Sequence, residues 1–237
     1  MAQLQGKEKS AYVQNMFDRI APRYNLLNRL ISLGQDQRWR RFVVEKAQIP
    51  VNGDVLDLAT GTGDVAFEIL KRHPSANVVG GDFAIEMMFV GQKNKLGDHV
   101  TWVGADALNL PFAENTFDAV TSGYLMRNIP DLERGISEQL RVLKPGGRIV
   151  ILDTAPPPHN ILRPFILIHL KYVIPLLGRL ISGKDSADAY QYLPESTQSF
   201  KTPEDLAMIL EKSGVEGVQF KKFMFGTMAV HWGIKPH

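Results

Sequence analysis

The sequence predicts an α/β chain: a mostly parallel sheet of seven strands, helices on both faces, and an antiparallel edge at the C-terminus. Three observations carry this. From residue 54 short apolar runs alternate with amphipathic helices, the first run opens directly into a glycine turn and a helix, and the last two runs are joined only through Gly226 and Thr227. Parallel neighbours need long crossovers, which the helices supply, whereas a short connection joins antiparallel neighbours.

The elements follow in order. Tyr12, Met16, Phe17 and Ile20 recur at helical spacing up to Pro22, and Leu26, Leu27, Leu30 and Ile31 resume the pattern as far as Gly34. Asp36 is expected to cap a helix carrying Trp39, Phe42, Val43 and Val44. Strands are expected at 55–59, 78–81, 100–104, 117–121 and 148–152, with helices at 64–72, 84–95 and 132–143 between them. Beyond Pro156, Pro157 and Pro158 lies ILRPFILIHLKYVIPLLGRLI at 161–181, which reads as an inserted helical cover. Pro164 and Pro175 should kink or end its helices, which argues against a spanning segment and leaves a substrate channel wall, a bilayer contact, plain core packing or a dimer contact as its roles. Thr202 is a plausible N-cap for a helix over 202–213, and 220–225 and 228–233 read as the terminal strand pair.

Length and composition narrow the classes. A chain of 237 residues, 44% hydrophobic and 22% charged, suits one core. With no cysteine, disulfides and thiolate chemistry are excluded; the first ten residues carry no apolar leader, and a cytoplasmic location is expected. A formal charge of +2, without basic residues interleaved with an aromatic platform, points away from nucleic acid. Arginines cluster near the N-terminus (Arg19, Arg23, Arg29, Arg38, Arg40, Arg41), either as a solvated helix face or as a face toward an anionic membrane. The histidines show no ligand spacing, so no metal is expected; His169 in the apolar cover could assist proton movement, but a structural or solvent-facing histidine is the expectation.

The strongest chemical signal is VLDLATGTGDVAFEIL at 55–70, a strand, a glycine turn and a helix of Rossmann type. Gly61, Gly63 and Ala66 satisfy the dinucleotide fingerprint, and Asp82 stands where a ribose-binding acid is expected. Asp57 at the end of the first strand argues against a pyrophosphate and for S-adenosylmethionine (AdoMet), whose sulfonium and ammonium an anionic site attracts. Asp106, after the third strand, is placed near the adenine. The expected cofactor set is Asp57, Thr60, Gly61, Gly63, Asp82, Phe83, Asp106 and Ala107.

With FDRIAPRYNLLNRLISLGQDQRWRR at 17–41, RNIPD at 127–131, RVLKPGGRIVILD at 141–153, DAYQYLPESTQSF at 188–200 and MAVHWGIK at 228–235, the chain resembles the class I methyltransferases. Within them it is most similar to the quinone-biosynthesis C-methyltransferases that act on demethylmenaquinol and, in some members, on a prenylated methoxybenzoquinol. The resemblance implies AdoMet-dependent methylation of a prenylated quinol, a helical lid over 1–48, and a catalytic domain over 49–237 with a cover at about 157–200. It also implies a cytoplasmic protein in transient contact with the inner face of the membrane, and a homodimer is compatible with it. Arg127, Asn128 and Tyr24 are its expected catalytic residues, and Tyr124 and Tyr192 its expected substrate contacts. The segment 124–128 and the pair Asp153-Thr154 depart from the usual pattern beside the acceptor pocket. Two alternatives stay open at this stage: methylation of another phenolic or polyketide-like metabolite, and a noncatalytic AdoMet-binding assembly protein.

Overall fold

A computed structural model describes residues 6–182 and 187–237; residues 1–5 of the expected lid and 183–186 of the expected cover lie outside the described residues. The seven strands are β1 (Asp54–Leu58), β2 (Asn77–Asp82), β3 (Val100–Gly104), β4 (Phe117–Gly123), β5 (Leu143–Thr154), β6 (Glu216–Phe223) and β7 (Met228–Ile234). They form one sheet in the order β3-β2-β1-β4-β5-β7-β6, parallel from β3 to β5 and antiparallel at β5–β7 and β7–β6. The order reverses at β1 and β4, so a crevice opens beyond their carboxyl ends, where ligands bind in open α/β sheets.

Strand side chains alternate between two cores. Val55, Ala119, Val150 and Leu152 pack with α3 (Asp36–Ala47) and α4 (Asp64–Arg72) on one face. Leu56, Leu58, Val120, Ile149 and Ile151 pack with α6 (Leu132–Val142) and α10 (Pro203–Lys212) on the other. A third cluster sits apart from both: Val13, Met16 and Ile20 of α1 (Gly6–Ile20) and Leu27 of α2 (Tyr24–Ile31) meet Leu170, Ile174, Tyr190 and Tyr192. The lid expected over 1–48 therefore divides: α3 joins the helical layer of the sheet, while α1 and α2 pack with the segment 163–199.

Several local expectations change. Asp36 does not cap α3 with its side chain; Gln35 precedes the helix without a side-chain cap, and the Asp36 carboxylate instead takes Ser32 Oγ, Arg29 and Arg40. β5 begins at Leu143 rather than Arg148, and α5 (Ile85–Gln92) is shorter than expected. The prolines of the cover do not break it. Pro164 occupies the first turn of α7 (Arg163–Ile168), where no N–H is required, and a π-turn at His169–Val173 carries the chain into α8 (Ile174–Ser182) ahead of Pro175. The result is a helical run, Arg163–Ile181, long and apolar enough by length and composition to cross a membrane, with mean hydropathy 1.5 and few of its residues buried. Its buried residues Leu170 and Ile174 belong to the third cluster, with α9 (Ala187–Ser199) packed alongside. Thr202 caps α10 as expected, its Oγ1 accepting the Asp205 N–H at 3.1 Å.

Candidate active site

The register of β1 against β4 sets Asp57 beside Thr121. Asp57 is buried, its Oδ1 accepting from Thr121 Oγ1 at 2.8 Å and its Oδ2 from Thr60 Oγ1 at 2.7 Å and the Ala66 N–H at 3.2 Å. The carboxylate thus tethers both limbs of the glycine turn from behind. Burial, only partly offset by these hydrogen bonds, pushes it up to about 6. Because the folded protein holds this proton where the unfolded chain has released it, the contribution of Asp57 to stability is present at acid pH and lost as pH rises through about 6. The loss is on the order of 3 kcal/mol. Urea unfolding of the native chain and Asp57→Asn between pH 4 and 7 should show the native chain losing stability relative to the variant as pH rises; a pH-independent difference would contradict this.

Gly61 and Gly63 both have positive φ, +56° and +81°. A Cβ on Gly63 would lie 2.7 Å from Trp102, so this glycine serves packing under the turn. The Gly61 N–H donates to Asp82 Oδ2 at 2.7 Å, and the Ala84 N–H donates to Asp82 Oδ1 at 2.8 Å. Burial raises the Asp82 pKa, and these backbone donors oppose the rise. Each oxygen keeps acceptor capacity toward a cavity of about 110 Å³. That cavity is lined by Gly61, Asp82, Phe83, Asp106 and Ala107 of the expected set, with Leu58, Met87 and Leu108 among its other walls. Asp57, Thr60 and Gly63 are not on its lining; they shape the turn that is.

Helix α1 closes this cavity with Ser10, Val13 and Phe17. Its polar side chains grip the loops beneath. Lys9 Nζ donates to the carbonyls of Arg127 (3.0 Å) and Ile129 (2.9 Å), Gln14 Nε2 to that of Phe83 (2.8 Å), and the Asp18 carboxylate accepts the Glu86 N–H at 3.1 Å.

A second, larger cavity of about 340 Å³ lies under α1, α2 and the cover, walled by Met16, Leu27, Ile31, Leu170 and Ile174. Tyr24, Tyr124, Arg127, Thr154, His169 and Tyr192 bring polar atoms to it. Phe17, Tyr24 and Tyr124 line both cavities, so the two meet across these rings. Tyr124 has φ +59°, a costly conformation for a bulky residue. It is held there by its N–H donating to the Leu152 carbonyl at 2.7 Å and its carbonyl accepting from Asn128 Nδ2 at 2.6 Å.

Arg127 is buried beside Tyr124, its guanidinium 5.0 Å from the ring centroid and its Nη1 donating to Asp153 Oδ1. Burial opposes the charge, but the Asp153 carboxylate outweighs it and holds Arg127 above its ordinary value. Asn128 Oδ1 accepts from the Tyr192 hydroxyl at 3.0 Å. Asn128 is therefore spent on Tyr124 and Tyr192; Asp131 caps α6 instead, accepting the Arg134 N–H at 2.9 Å. All five expected catalytic and substrate residues, Tyr24, Tyr124, Arg127, Asn128 and Tyr192, gather at one place. Sequence reasoning did not single out Lys9 or Gln14, named Thr154 only as a departure from the family pattern, and read Phe17 only as part of a helical repeat. Phe17 lies on an amphipathic helix whose period also fits plain core packing.

An apolar chamber thus adjoins the crevice of a Rossmann-type sheet across three aromatic rings. Residues 5–235 match the ubiE/COQ5 methyltransferase family. The chain belongs to this family. It is 51% identical over 96% of its length, and 92% of the relative's, to the ubiquinone/menaquinone biosynthesis C-methyltransferase UbiE of Desulfotalea psychrophila. It is 44% identical over 93% of its length to the demethylmenaquinone methyltransferase of Thermus thermophilus, which it covers completely at 100%. Among solved structures, a chain from a complex that contains the Haloferax volcanii Trm112 methyltransferase activator superposes with a TM-score of 0.67 over 93% of this chain and 98% of that one, at 15% identity, a likeness of fold alone. Among the described residues of this methyltransferase, no group of three His, Asp or Glu side chains is placed to hold a metal ion.

Proposed function

We propose that the chain transfers a methyl group from AdoMet to a ring carbon of a prenylated quinol, with demethylmenaquinol as the acceptor, and that it does so without a metal. The observation that carries this reading is the junction of a small polar cavity with a large apolar one at Phe17, Tyr24 and Tyr124. The names of the relatives in Desulfotalea psychrophila and Thermus thermophilus support the acceptor class.

AdoMet supplies an electrophilic methyl on a sulfonium. Asp82 accepts hydrogen bonds from ribose hydroxyls, and Phe83, Asp106 and Ala107 receive the adenine end. Arg127 stabilises the phenolate that develops as the ring carbon becomes nucleophilic, and stays charged because Asp153 is beside it. Asn128 and Tyr192 hold that network in register. The apolar walls shelter the first isoprenoid units, each Å² removed from water contributing about 25 cal/mol.

The cover gives the protein a face toward a membrane. Phe165, Ile168, Tyr172, Leu176 and Leu180 are exposed on it, and residues 154–182 include Arg163, Lys171 and Arg179 but no Asp or Glu. Such a surface suits anionic lipid better than a second copy of itself, whose like charges would meet. On this reading the helix lies on the bilayer at the cytoplasmic side, because its inner residues wall the chamber.

Incubating the protein with labelled AdoMet and a panel of reduced quinones and soluble phenols should label prenylated naphthoquinols first. Label appearing only on soluble phenols or polyketides would overturn the acceptor assignment. Leu176→Asp together with Leu180→Asp should weaken sedimentation with anionic vesicles tenfold or more. Unchanged vesicle binding, or a native chain that ignores vesicles and dimerises, would overturn the membrane face.

A further inference from the structure

The proposed chemistry requires a group to take the proton from the quinol hydroxyl. Arg127 is held charged by Asp153, and Asp153 is itself committed to Arg127 and the Thr154 N–H. Phenols ordinarily hold their proton up to about pH 10, and burial raises Tyr24, Tyr124 and Tyr192 further. Tyr190 adds a fourth phenol, and the remaining polar groups in the wall, apart from one imidazole, are amides and aliphatic hydroxyls, which do not accept a proton near neutral pH.

The imidazole belongs to His169. It opens the π-turn, with the Ile174 N–H reaching back to the His169 carbonyl, five residues earlier, and its side chain lines the large cavity. π-turns of this kind recur at functional sites. Its Nε2 is buried and has no hydrogen-bond partner, so a lone pair or an N–H is left facing an apolar chamber. Resting on the quinol reading above, we infer that His169 Nε2 accepts the proton of the quinol hydroxyl ortho to the methylated carbon.

The step balances. As the ring carbon bonds to the sulfonium methyl and the S–C electron pair leaves with sulfur, the hydroxyl proton passes to Nε2. The hydrogen on the methylated carbon then leaves to solvent as the one proton released, and the imidazolium returns its own to the oxygen.

Burial alone lowers the pKa of His169 below the usual 6.5, so the ring is neutral and able to accept at pH 7. Among the described side chains, the charged groups on the elements packed against it are Arg163 on α7, Lys171 in the turn, Arg179 on α8 and Glu195 on α9, and none adds a Coulombic shift. Across the cavity stand Arg127 and the phenols of Tyr24, Tyr124, Tyr190 and Tyr192.

Glutamine in place of His169 keeps polarity and approximate size but cannot titrate. Turnover of His169→Gln should fall about 100-fold or more with KM little changed. The acid limb of the native pH profile, lying below pH 6.5, should vanish. The variant-to-native ratio is read on whichever phenolic acceptor the native enzyme turns over, so failure of the quinol reading and failure of this assignment register separately. A second readout needs no turnover: in histidine ring ¹⁵N spectra of the native protein with S-adenosylhomocysteine, adding 1,4-dihydroxynaphthalene should shift the unprotonated nitrogen of His169, assigned with His169→Gln and His169→Tyr. Turnover of His169→Gln within threefold of native, a persistent acid limb, or an unmoved ring signal would overturn the assignment.

Discussion

Methionine at position 127 is expected to lower turnover at least 100-fold, the scale for losing a preorganised group that stabilises an oxyanion, and to destabilise the fold by about 3–5 kcal/mol. The two losses have different origins. The first comes from the quinol oxygen, which loses its cationic neighbour at the seam between the cavities. The second comes from Asp153, only 2% exposed, whose carboxylate is left buried and uncompensated. Adding Asp153→Asn to Arg127→Met should therefore restore most of the thermal stability while leaving turnover low. A double variant that regains both would make Arg127 a structural residue only.

Removing the Asp82 carboxylate should have the largest effect on the cofactor side. Asp82→Ala takes an acceptor from the N–H groups of Gly61 and Ala84, which set the turn after β1 and the entry to α5, and also removes the group that faces the small cavity. With hydrogen bonds to a charged group each worth about 1.5–3 kcal/mol, calorimetric affinity for S-adenosylhomocysteine should drop by roughly 100-fold or more. Asp82→Asn, which keeps one acceptor, should fall between. Affinity of the alanine variant within threefold of native would move the ribose site elsewhere.

The sheet was readable from sequence because glycine precedes β1, as Gly53, and the expected start of β5, as Gly147, and because helices such as α4 and α6 keep one apolar face. The placement of acids at the strand ends was equally readable, but their direction was not. Asp57 shares the face of Val55, under α4, and the period-2 alternation that buries Val55 turns the carboxylate inward, away from the cavity. Asp82, in contrast, ends its strand and turns back to the glycine loop. Of the acids at the strand ends, Asp82 and Asp106 line the small cavity and Asp57 does not. The cover defeated local reading for a different reason: Pro175 looks like a helix breaker, and only the π-turn before it lets the helix continue. That turn opens with His169, which no spacing rule in the sequence separates from an ordinary histidine in an apolar helix.

Methylation of the ring carbon, and not of an oxygen, is expected where the cavities meet. Its most direct measurement is fragmentation mass spectrometry of the product formed from trideuteromethyl AdoMet and a reduced, prenylated demethylnaphthoquinone. The geometry predicts the label on the quinone ring, retained after the product is oxidised back to the quinone. A label lost on that oxidation, as from a methyl ether, would contradict it.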